Sequence, residues 1–547
     1  MCLKLNILLL FHMGLHIREK KNSSGSISIQ IIDRKNRGYK VVETIGCVKS
    51  DIEKQFYLDM ASARLKELNK KLYPTLFDMD EEVKNNDELE FINLSNKELI
   101  PVGDELIYGK IFEELGCKDV NLNSNKQSFF KALVISRLLY PGSKLYLIDY
   151  LTYFKREDIE KNQIYRLLDT LYNENIKIEI ERCIFNHTKK IMDNSIAVTF
   201  YDVTTLHFES ESEDDLRRIG FSKEGKLNRP QIQLGLFTTL QGYPLGFEVY
   251  EGNKFEGHTL TDVLQKFQTR FKLDNKPIVV ADKGMLNSAN IAYLENNGYK
   301  YILAYKIKNI DANLKEKIAN LPFLDDGTIH TLDIEKEINY KDDEGKNHKL
   351  KIKQRLILTY SSKRAKKDKR TREKALQKID TALDKKNITK SDLKLSYYAK
   401  YLDIDDKCTV KYKLNPDKVQ IDAKLDGIKG FATNDFTLKP DDVIAHYQNQ
   451  YAVERAFRIS KTDLRIRPIY HRLENRIKAH ILVSFVAYAV FMEFERRLKT
   501  KNIKFNFSQK LLRDIIKHMH ALNTGGKLLY LKFDDVQQIV YDAVRNK

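Results

Sequence analysis

Residues 195–202 read SIAVTFYD, and residues 276–282 read KPIVVAD. Each stretch is an apolar, β-branched run of strand length that ends in an aspartate, Asp202 in the first and Asp282 in the second. Runs of this kind predict buried strands. An aspartate at the end of a buried strand delivers its carboxylate to the edge of the sheet, where ligands commonly bind in α/β folds.

The sequence around these two stretches completes a sheet. RPQIQLGLFTTL and PLGFEVYEG predict two more strands, joined by the turn Gln241–Gly242–Tyr243, and HTLTDVLQKFQTRF predicts a helix. A helix over Ser288–Asn297 and the strands KYILAYKI and IKGFATN follow. This order of elements, successive strands followed by a strand–helix–strand unit, predicts a mixed α/β sheet flanked by helices.

Weak strands and one charged run, KRAKKDKRTREKALQKIDTALDKK, predict a β-rich insertion over 308–427. We interpret the charged run as an exposed helix, with solvation as its usual explanation and DNA-backbone contact as the alternative.

The part of the chain before residue 195 is predicted to be mainly helical. Residues 27–46 predict a hairpin, 50–72 a helix, 73–105 an acidic linker, and 106–193 successive helices. These helices could form a helix-turn-helix DNA reader or a helical cap on the next domain. The predicted domains are 13–194 (hairpin plus helical DNA-end-binding region), 195–307 with 428–500 (core), 308–427 (insertion) and 501–547.

Composition favours a nucleic-acid partner. Lys+Arg number 94 against 76 Asp+Glu, and a net charge of +18 suggests a polyanion. The five cysteines are scattered without a CxxC pair, which favours reduced thiols in the cytoplasm and disfavours structural zinc. The apolar run in MCLKLNILLLFHM is too short to span a bilayer, which needs ~20 residues. We expect translation to start at Met13, residues 1–12 to be an upstream extension, and no membrane association.

A third acid, Glu454, lies in the basic stretch YQNQYAVERAFRISK, on a helix predicted from Pro440. Tyr447, Gln450, Glu454 and Lys461 are spaced by 3, 4 and 7 residues, which predicts one helical face. Mg²⁺ prefers oxygen ligands, so three carboxylates could hold it. Paired ions can activate a water or a 3′-hydroxyl and stabilise the departing oxygen. A turn role for each aspartate and a solvated face for Glu454 remain the alternatives.

Several motifs together resemble the DDE transposases of bacterial insertion sequences, in the subgroup with a strand-rich insertion between the second Asp and the Glu. They are FYDVTTLHFES, GFSKEGKLNRPQIQLGLF, GYPLGFEVYEGNKFEGHTL, VADKGMLNSANIAYLENNGYKYI and YAVERAFRISKTDLRIRPIYHRLENRIKAHILVSF. The resemblance covers about 195–490 in the family's order. It implies an RNase H-like core in which Asp202, Asp282 and Glu454 hold two Mg²⁺ or Mn²⁺ ions.

The resemblance also implies a DNA-contact set around the acids. The family signature places Tyr, Arg, Glu and Lys at fixed spacing; Tyr447, Glu454 and Lys461 match, but Gln450 stands at the Arg position. Gln carries no charge and cannot replace a bidentate guanidinium. The resemblance thus implies DNA binding by Tyr447, Gln450 and Lys461. Position and charge add four further expected DNA-binding residues: Arg455, Arg458, Lys283 and His207. For His207 and Lys283 a purely structural role is the alternative.

The implied function is transposition in the bacterial cytoplasm, at the nucleoid. The protein is expected to bind its element's terminal inverted repeats as a homodimer on double-stranded DNA. It then nicks the DNA, and the freed 3′-OH attacks the opposite strand or a target. Two alternatives stay open: a stand-alone RNase H-like metal-dependent nuclease, and a catalytically inactive DNA-binding descendant, which Gln450 keeps in consideration.

Overall fold

The computed structural model describes most of the chain, in two compact units, Met1–Leu94 and Ser95–Lys547. The described residues are 14–35, 38–49, 51–72, 98–155, 159–193, 196–221, 228–255, 257, 259–271, 276–281, 287–323, 325–342, 345–383, 399–405, 411–501, 508–524 and 527–545. The expected upstream extension, 1–12, and most of the predicted acidic linker lie outside these ranges, and the predicted domain division stays a prediction.

The first unit is a three-stranded antiparallel sheet covered by one helix. Its elements are β1 (Gly14–Lys21), β2 (Ile27–Lys35), β3 (Gly38–Val48) and α1 (Asp51–Leu72). The hairpin predicted over 27–46 is present as β2 and β3, and β1 adds a strand to it, with Gly14 opposite Arg34. Ile29 and Ile31 are fully buried in this unit, because residues two apart on a strand share a face.

The second unit begins with a helical region. Its elements are β4 (Leu99–Pro101), a π-helical turn (Asp104–Gly109), α2 (Lys110–Glu114), α3 (Ser124–Leu139), α4 (Lys144–Phe154), α5 (Lys161–Leu171) and α6 (Glu174–Ile191). The predicted helical character of 106–193 is confirmed. Ile164 and Ile184 lie in one hydrophobic cluster with Phe200 of the sheet, which favours the helical cap over a separate DNA reader.

A mixed parallel and antiparallel sheet forms the centre of this unit. Its first elements are β5 (Val198–His207), β6 (Gln231–Thr239), β7 (Pro244–Glu251), α7 (Thr259–Phe271), β8 (Ile278–Ala281), α8 (Ser288–Asn296) and β9 (Tyr301–Tyr305). β6 pairs antiparallel with β5 and β7, whereas β8 pairs parallel with β5 and β9. The predicted fold class, a mixed α/β sheet flanked by helices, is confirmed.

The insertion extends this sheet. Its elements are α9 (Ala312–Ala319), β10 (Ile329–Lys341), β11 (Asn347–Tyr360), α10 (Ser362–Leu383), β12 (Leu402–Asp405), β13 (Lys411–Leu414) and α11 (Pro416–Lys424). β14 (Ile428–Thr433) pairs with β9, and β11 pairs with β14. The result is one eight-stranded sheet in the order β10-β11-β14-β9-β8-β5-β6-β7. This pairing covers the edge that β9 would otherwise expose.

The remaining elements are α12 (Pro440–Gln448), α13 (Tyr451–Arg458), α14 (Glu474–Thr500), α15 (Gln509–Lys517), β15 (His520–Asn523), β16 (Leu528–Tyr530) and α16 (Asp535–Arg545). Among the described helices, α14 alone is long and apolar enough to cross a membrane by length and composition. In this fold 94% of its most apolar window is buried, against α3, α5 and the sheet. A helix that is apolar on all sides is expected in such a central position.

Candidate active site

The prediction that Asp202 ends its strand is wrong, because β5 continues to His207 and Asp202 lies in its middle, on a defined face of the sheet. Its neighbours Tyr201 and Val203 pack in one hydrophobic cluster with α7, whereas Phe200 and Leu206 pack in the other, with α13 and α14. Because side chains alternate along a strand, Asp202 faces the side that α13 covers. Its side chain is half-buried, and Oδ1 accepts a hydrogen bond from the Val203 N–H at 2.8 Å.

Asp282 and Lys283 lie outside the described residues, so their placement stays a prediction. The strand that leads to them is described: Ala281 ends β8 and stands opposite Tyr201 in the parallel register. Asp202 directly follows Tyr201 in the sequence, and Asp282 directly follows Ala281.

Glu454 is carried by a helix that packs on the same face as Asp202. α13 contacts β5 and β6, and its Val453 and Ala456 are fully buried in the cluster that contains Phe200. Glu454 itself is exposed. The helix that presents Glu454 and the side chain of Asp202 therefore lie on one face of the sheet, and the buried neighbours of Glu454 fix the position of this helix.

The prediction of one uninterrupted helical face is wrong. α12 ends at Gln448, a turn follows at Asn449 and Gln450, and α13 begins at Tyr451. Beyond α13 the chain widens into a π-helical turn, Ile459–Asp463, in which the Leu464 N–H donates to the Ile459 carbonyl at 2.9 Å. A π-turn adds a residue to the helical repeat, so Lys461 departs from the regular stripe. The role of Lys461 in DNA binding stays a prediction.

Tyr447, Gln450 and Glu454 nevertheless line one cleft, of about 590 Å³. The cleft lies between the ends of β9 and β14, the start of α10, and the α12–α13 turn. Four cations also line it: Lys306, Lys308, Arg364 and Lys429. Lys308 pairs with Asp422 and Asp426, both at 3.4 Å, and Arg364 pairs with Asp368 at 3.4 Å. Lys306 and Lys429 are exposed, which gives the cleft beside Glu454 a positive wall.

The donors suit a hard divalent cation. Asp202 and Glu454 both offer carboxylate oxygens, which are the ligands that Mg²⁺ and Mn²⁺ prefer. Within the described residues no group of three or more His, Cys, Asp or Glu side chains could hold a metal ion. The predicted set includes Asp282, which is outside those residues, so the complete set is not tested by this observation.

Residues 193–490 match the family model of the transposase DDE domain. The chain belongs to the transposase DDE domain family. Membership implies an enzyme that cleaves and transfers DNA strands. The matched span contains Asp202, Asp282 and Glu454 and includes the insertion.

No curated protein matches the chain. Among solved structures, the piggyBac transposase, in a cryo-EM synaptic complex with hairpin DNA, matches 76% of this chain and 78% of its own. The sequence identity is 11% and the TM-score is 0.33. The family assignment of the DDE domain therefore rests on the sequence match.

Within the DDE domain, Arg455 has a structural partner. Its NH1 donates to Glu495 Oε2 at 3.0 Å, and its NH2 also bonds to this carboxylate. This hydrogen-bonded pair raises the pKa of Arg455 above its usual value. The Arg455–Glu495 ion pair links α13 to α14. Arg458 on α13 is exposed, so it is the better placed of the two for DNA, and DNA contact by either residue stays a prediction.

His207, at the end of β5, also has a structural contact. Arg467 NH1 lies 2.7 Å from His207 Nδ1, which joins the strand to the loop that follows Lys461. The His207 side chain is 10% exposed. These observations favour its structural role, and its contact with DNA stays a prediction.

The sequence patterns do not single out Lys306, Lys429 or Arg364 as cleft residues, although Arg364 lies in the charged run for which DNA-backbone contact is the alternative. Each lies on a different element, at the end of β9, in β14 and in α10, so no spacing in the sequence relates them. The available signal was a lysine at the boundary of a predicted strand, in LAYK and in IKGFATN.

Proposed function

We propose that this protein is the transposase of a bacterial insertion sequence. It binds the terminal inverted repeats of its element, cleaves DNA at their ends and joins the freed strands to new DNA. The observation that carries the proposal is the placement of Glu454. This acid stands on a helix packed against the sheet face of Asp202, in a DDE domain, beside a cleft with a positive wall.

In this proposal Asp202, Asp282 and Glu454 hold two Mg²⁺ or Mn²⁺ ions. When bound, such ions lower the pKa of a water and stabilise charge on the departing oxygen. The protein's own residues position the Glu454 carboxylate and the DNA backbone. Val453 and Ala456 fix the helix of Glu454, while Lys306 and Lys429 attract the phosphate backbone to the cleft.

The reaction then has two steps. Water attacks a phosphodiester at the element's end, the bond to the 3′ oxygen breaks, and a 3′-OH and a 5′-phosphate result. That 3′-OH attacks a second phosphodiester, in the opposite strand to give a hairpin or in target DNA, and displaces another 3′-OH. Two ends must be held together, so the proposal includes a homodimer on double-stranded DNA, acting at the bacterial nucleoid.

End-specific cleavage tests the proposed function. Duplexes carry either the inverted repeats that flank the reading frame or a scrambled repeat of equal length, and both are incubated with the protein and Mg²⁺. We expect a nick at the repeat boundary of the first duplex and no nick in the second. Equal cutting of both would identify a stand-alone nuclease. Binding without metal-dependent cutting would identify a non-catalytic descendant.

Restoring the arginine of the signature should strengthen DNA binding. Gln450 lines the cleft beside Glu454, so Gln450→Arg places a guanidinium where the family contacts phosphate. We expect the affinity for end DNA to rise by about tenfold, since a hydrogen bond to a charged group contributes about 1.5–3 kcal/mol. Fluorescence anisotropy with labelled end DNA measures this change.

The control adds the same charge elsewhere. Gln265 is exposed on α7, which packs on the opposite face of the sheet, and Gln265→Arg should change the affinity by less than about twofold. Equal gains from the two variants would mean that Gln450 occupies no special position toward DNA.

A further inference from the structure

We propose that α10 of the insertion is a binding surface for the backbone of the duplex DNA that leaves the catalytic cleft. The inference rests on the proposed function and adds a DNA-contact surface to it. The surface is a set of basic residues that we name the basic stripe: Lys363, Lys366, Lys367, Arg370, Lys374 and Lys378.

The basic stripe occupies one face of the helix. Its members are separated by three, one, three, four and four residues, and at 3.6 residues per turn they fall within roughly 120° of the helix circumference. All six are exposed. Glu373 and Asp380, the exposed acids of the same helix, lie outside this arc. The stripe is therefore a surface of one charge sign and not a mixed polar face.

The opposite face of α10 fixes the helix in place. Ala375 and Ile379 are buried in a cluster with Tyr401 and Leu402. Arg372, which is also buried, pairs with Asp426. Because the helix is docked along this face, the direction of the stripe is set by packing.

The helix starts at the catalytic cleft. Arg364 and Asp368, in its first two turns, line the cleft that contains Glu454. Asp368 Oδ2 accepts a hydrogen bond from the Gly427 N–H at 3.2 Å, directly before β14. Lys363, the first member of the stripe, is adjacent to Arg364. The stripe therefore leads away from the cleft along the helix.

Among the described residues the stripe forms no close ion pair, although Lys366, after the hydrogen bonds from Ser362, helps to lower the pKa of Asp326. By contrast, Arg364 and Arg372 of the same helix pair with Asp368 and Asp426. Like charges three or four residues apart on a helix repel one another, and a bound polyanion would relieve that repulsion.

The length of the stripe fits a DNA backbone. From Lys363 to Lys378 the helix rises by about 23 Å, at 1.5 Å per residue. One strand of B-DNA covers that distance in about 7 nucleotides. The exposed Lys306 and Lys429 continue the positive surface from the stripe to Glu454. A basic helix whose only role is solvation would not need to begin at the cleft.

A triple variant tests the proposal. Lys366→Gln, Arg370→Gln and Lys374→Gln together remove three charges from the stripe, and Gln retains a high helix propensity. If three phosphate contacts are lost, the slope of log affinity against log salt becomes shallower by about 2.7. The advantage of the wild-type protein over the variant should then shrink by about 40-fold between 50 and 200 mM salt.

Duplexes of different lengths show which part of the DNA contacts the basic stripe. Binding is measured with duplexes that end about 3 base pairs from the cut site and with duplexes that extend about 15 base pairs beyond it, on each side in turn. We expect the triple variant to differ from wild type only on duplexes extended on one side. Both proteins should cleave the short duplex at equal rates.

The control removes the same charge from exposed lysines elsewhere in the unit, with Lys118→Gln, Lys501→Gln and Lys510→Gln. Its salt slope should equal that of the wild type. Equal slope changes in the two triple variants, or no change in the stripe variant, would overturn the proposal. So would a stripe variant that loses binding to phosphatidylserine vesicles while its DNA binding is unchanged. Stripe-dependent DNA binding without any cleavage would instead contradict only the proposed function.

Discussion

Glu454→Gln is expected to lower the rate of Mg²⁺-dependent DNA cleavage by about 10³-fold or more, without weakening DNA binding. Glutamine has nearly the same shape as glutamate but no charge, so it is a poor ligand for a hard cation. Loss of metal-assisted stabilisation of several kcal/mol corresponds to about three decades in rate. Glu454 is exposed, and the buried Val453 and Ala456 are unchanged, so the fold should be retained.

Single-turnover cleavage of end DNA measures this loss. Asp202→Asn should cause a similar loss, and the double variant should be little worse than either, because residues that act as one unit are not additive. The matched control is Glu316→Gln, on an exposed face of α9, which should cleave at the wild-type rate. A Glu454→Gln protein that kept more than about a tenth of the activity would remove Glu454 from the site.

Glu493→Ala is expected to lower the free energy of unfolding by about 3–5 kcal/mol, which is the range for breaking a buried ion pair. Glu493 is 1% exposed within α14. Its carboxylate accepts hydrogen bonds from Arg496 and Arg497 at 2.7 Å, and His187 Nε2 lies 3.4 Å away. Arg497 also pairs with Glu114 of α2. Removing the carboxylate leaves Arg496 and Arg497 without their shared partner and weakens the contact between α14 and the helical region.

The same carboxylate predicts a pH dependence. Burial alone would raise the pKa of Glu493, but the Arg496, His187 and Arg497 side chains hold it well below its usual range. A group whose folded pKa is depressed stabilises the protein above its unfolded pKa, about 4.3 for Glu, and this stabilisation is lost as the pH falls toward the folded pKa. The wild-type protein should therefore lose more stability than Glu493→Ala between pH 7 and pH 3.

Urea unfolding at these pH values measures both effects. The control is Glu474→Ala, at the start of the same helix, where the exposed carboxylate pairs with Lys478 at 2.6 Å. Removing this surface pair should cost less than about 1 kcal/mol. Equal losses from the two substitutions would show that the buried cluster has no special part in stability.

Local patterns predicted the elements of this fold well, but not their long-range pairing. The apolar runs that form β5, β8 and β9 are short and β-branched, and each became a strand. Nothing in the sequence of β11 or β14 states that they add to the edge of β9, because a strand's pattern specifies which face is buried and not its partner. The sequence therefore predicts a β-rich insertion that interrupts the core, whereas two of its strands, β10 and β11, continue the central sheet, and β12 and β13 pair with each other in a separate sheet.

The site was predictable where one element or one motif carried the signal. Asp202 ends an apolar run and Glu454 lies in a recognisable signature, whereas Lys306 and Lys429 join the cleft only through tertiary packing. A regular helical period of 3.6 residues does not predict the π-turn at Ile459–Asp463, which moves Lys461 off the helical face of Glu454. The sequence gives no sign that Arg455 is paired, because its partner, Glu495, is forty residues further along the chain.

Anomalous scattering from Mn²⁺, in crystals of the protein bound to its end DNA, tests the central claim directly. The claim is that Asp202, Asp282 and Glu454 hold a pair of cations. The expected result is two Mn²⁺ peaks about 3.5–4 Å apart, coordinated by these three carboxylates. Peaks held by other residues, or a Glu454 carboxylate turned away from both ions, would contradict it.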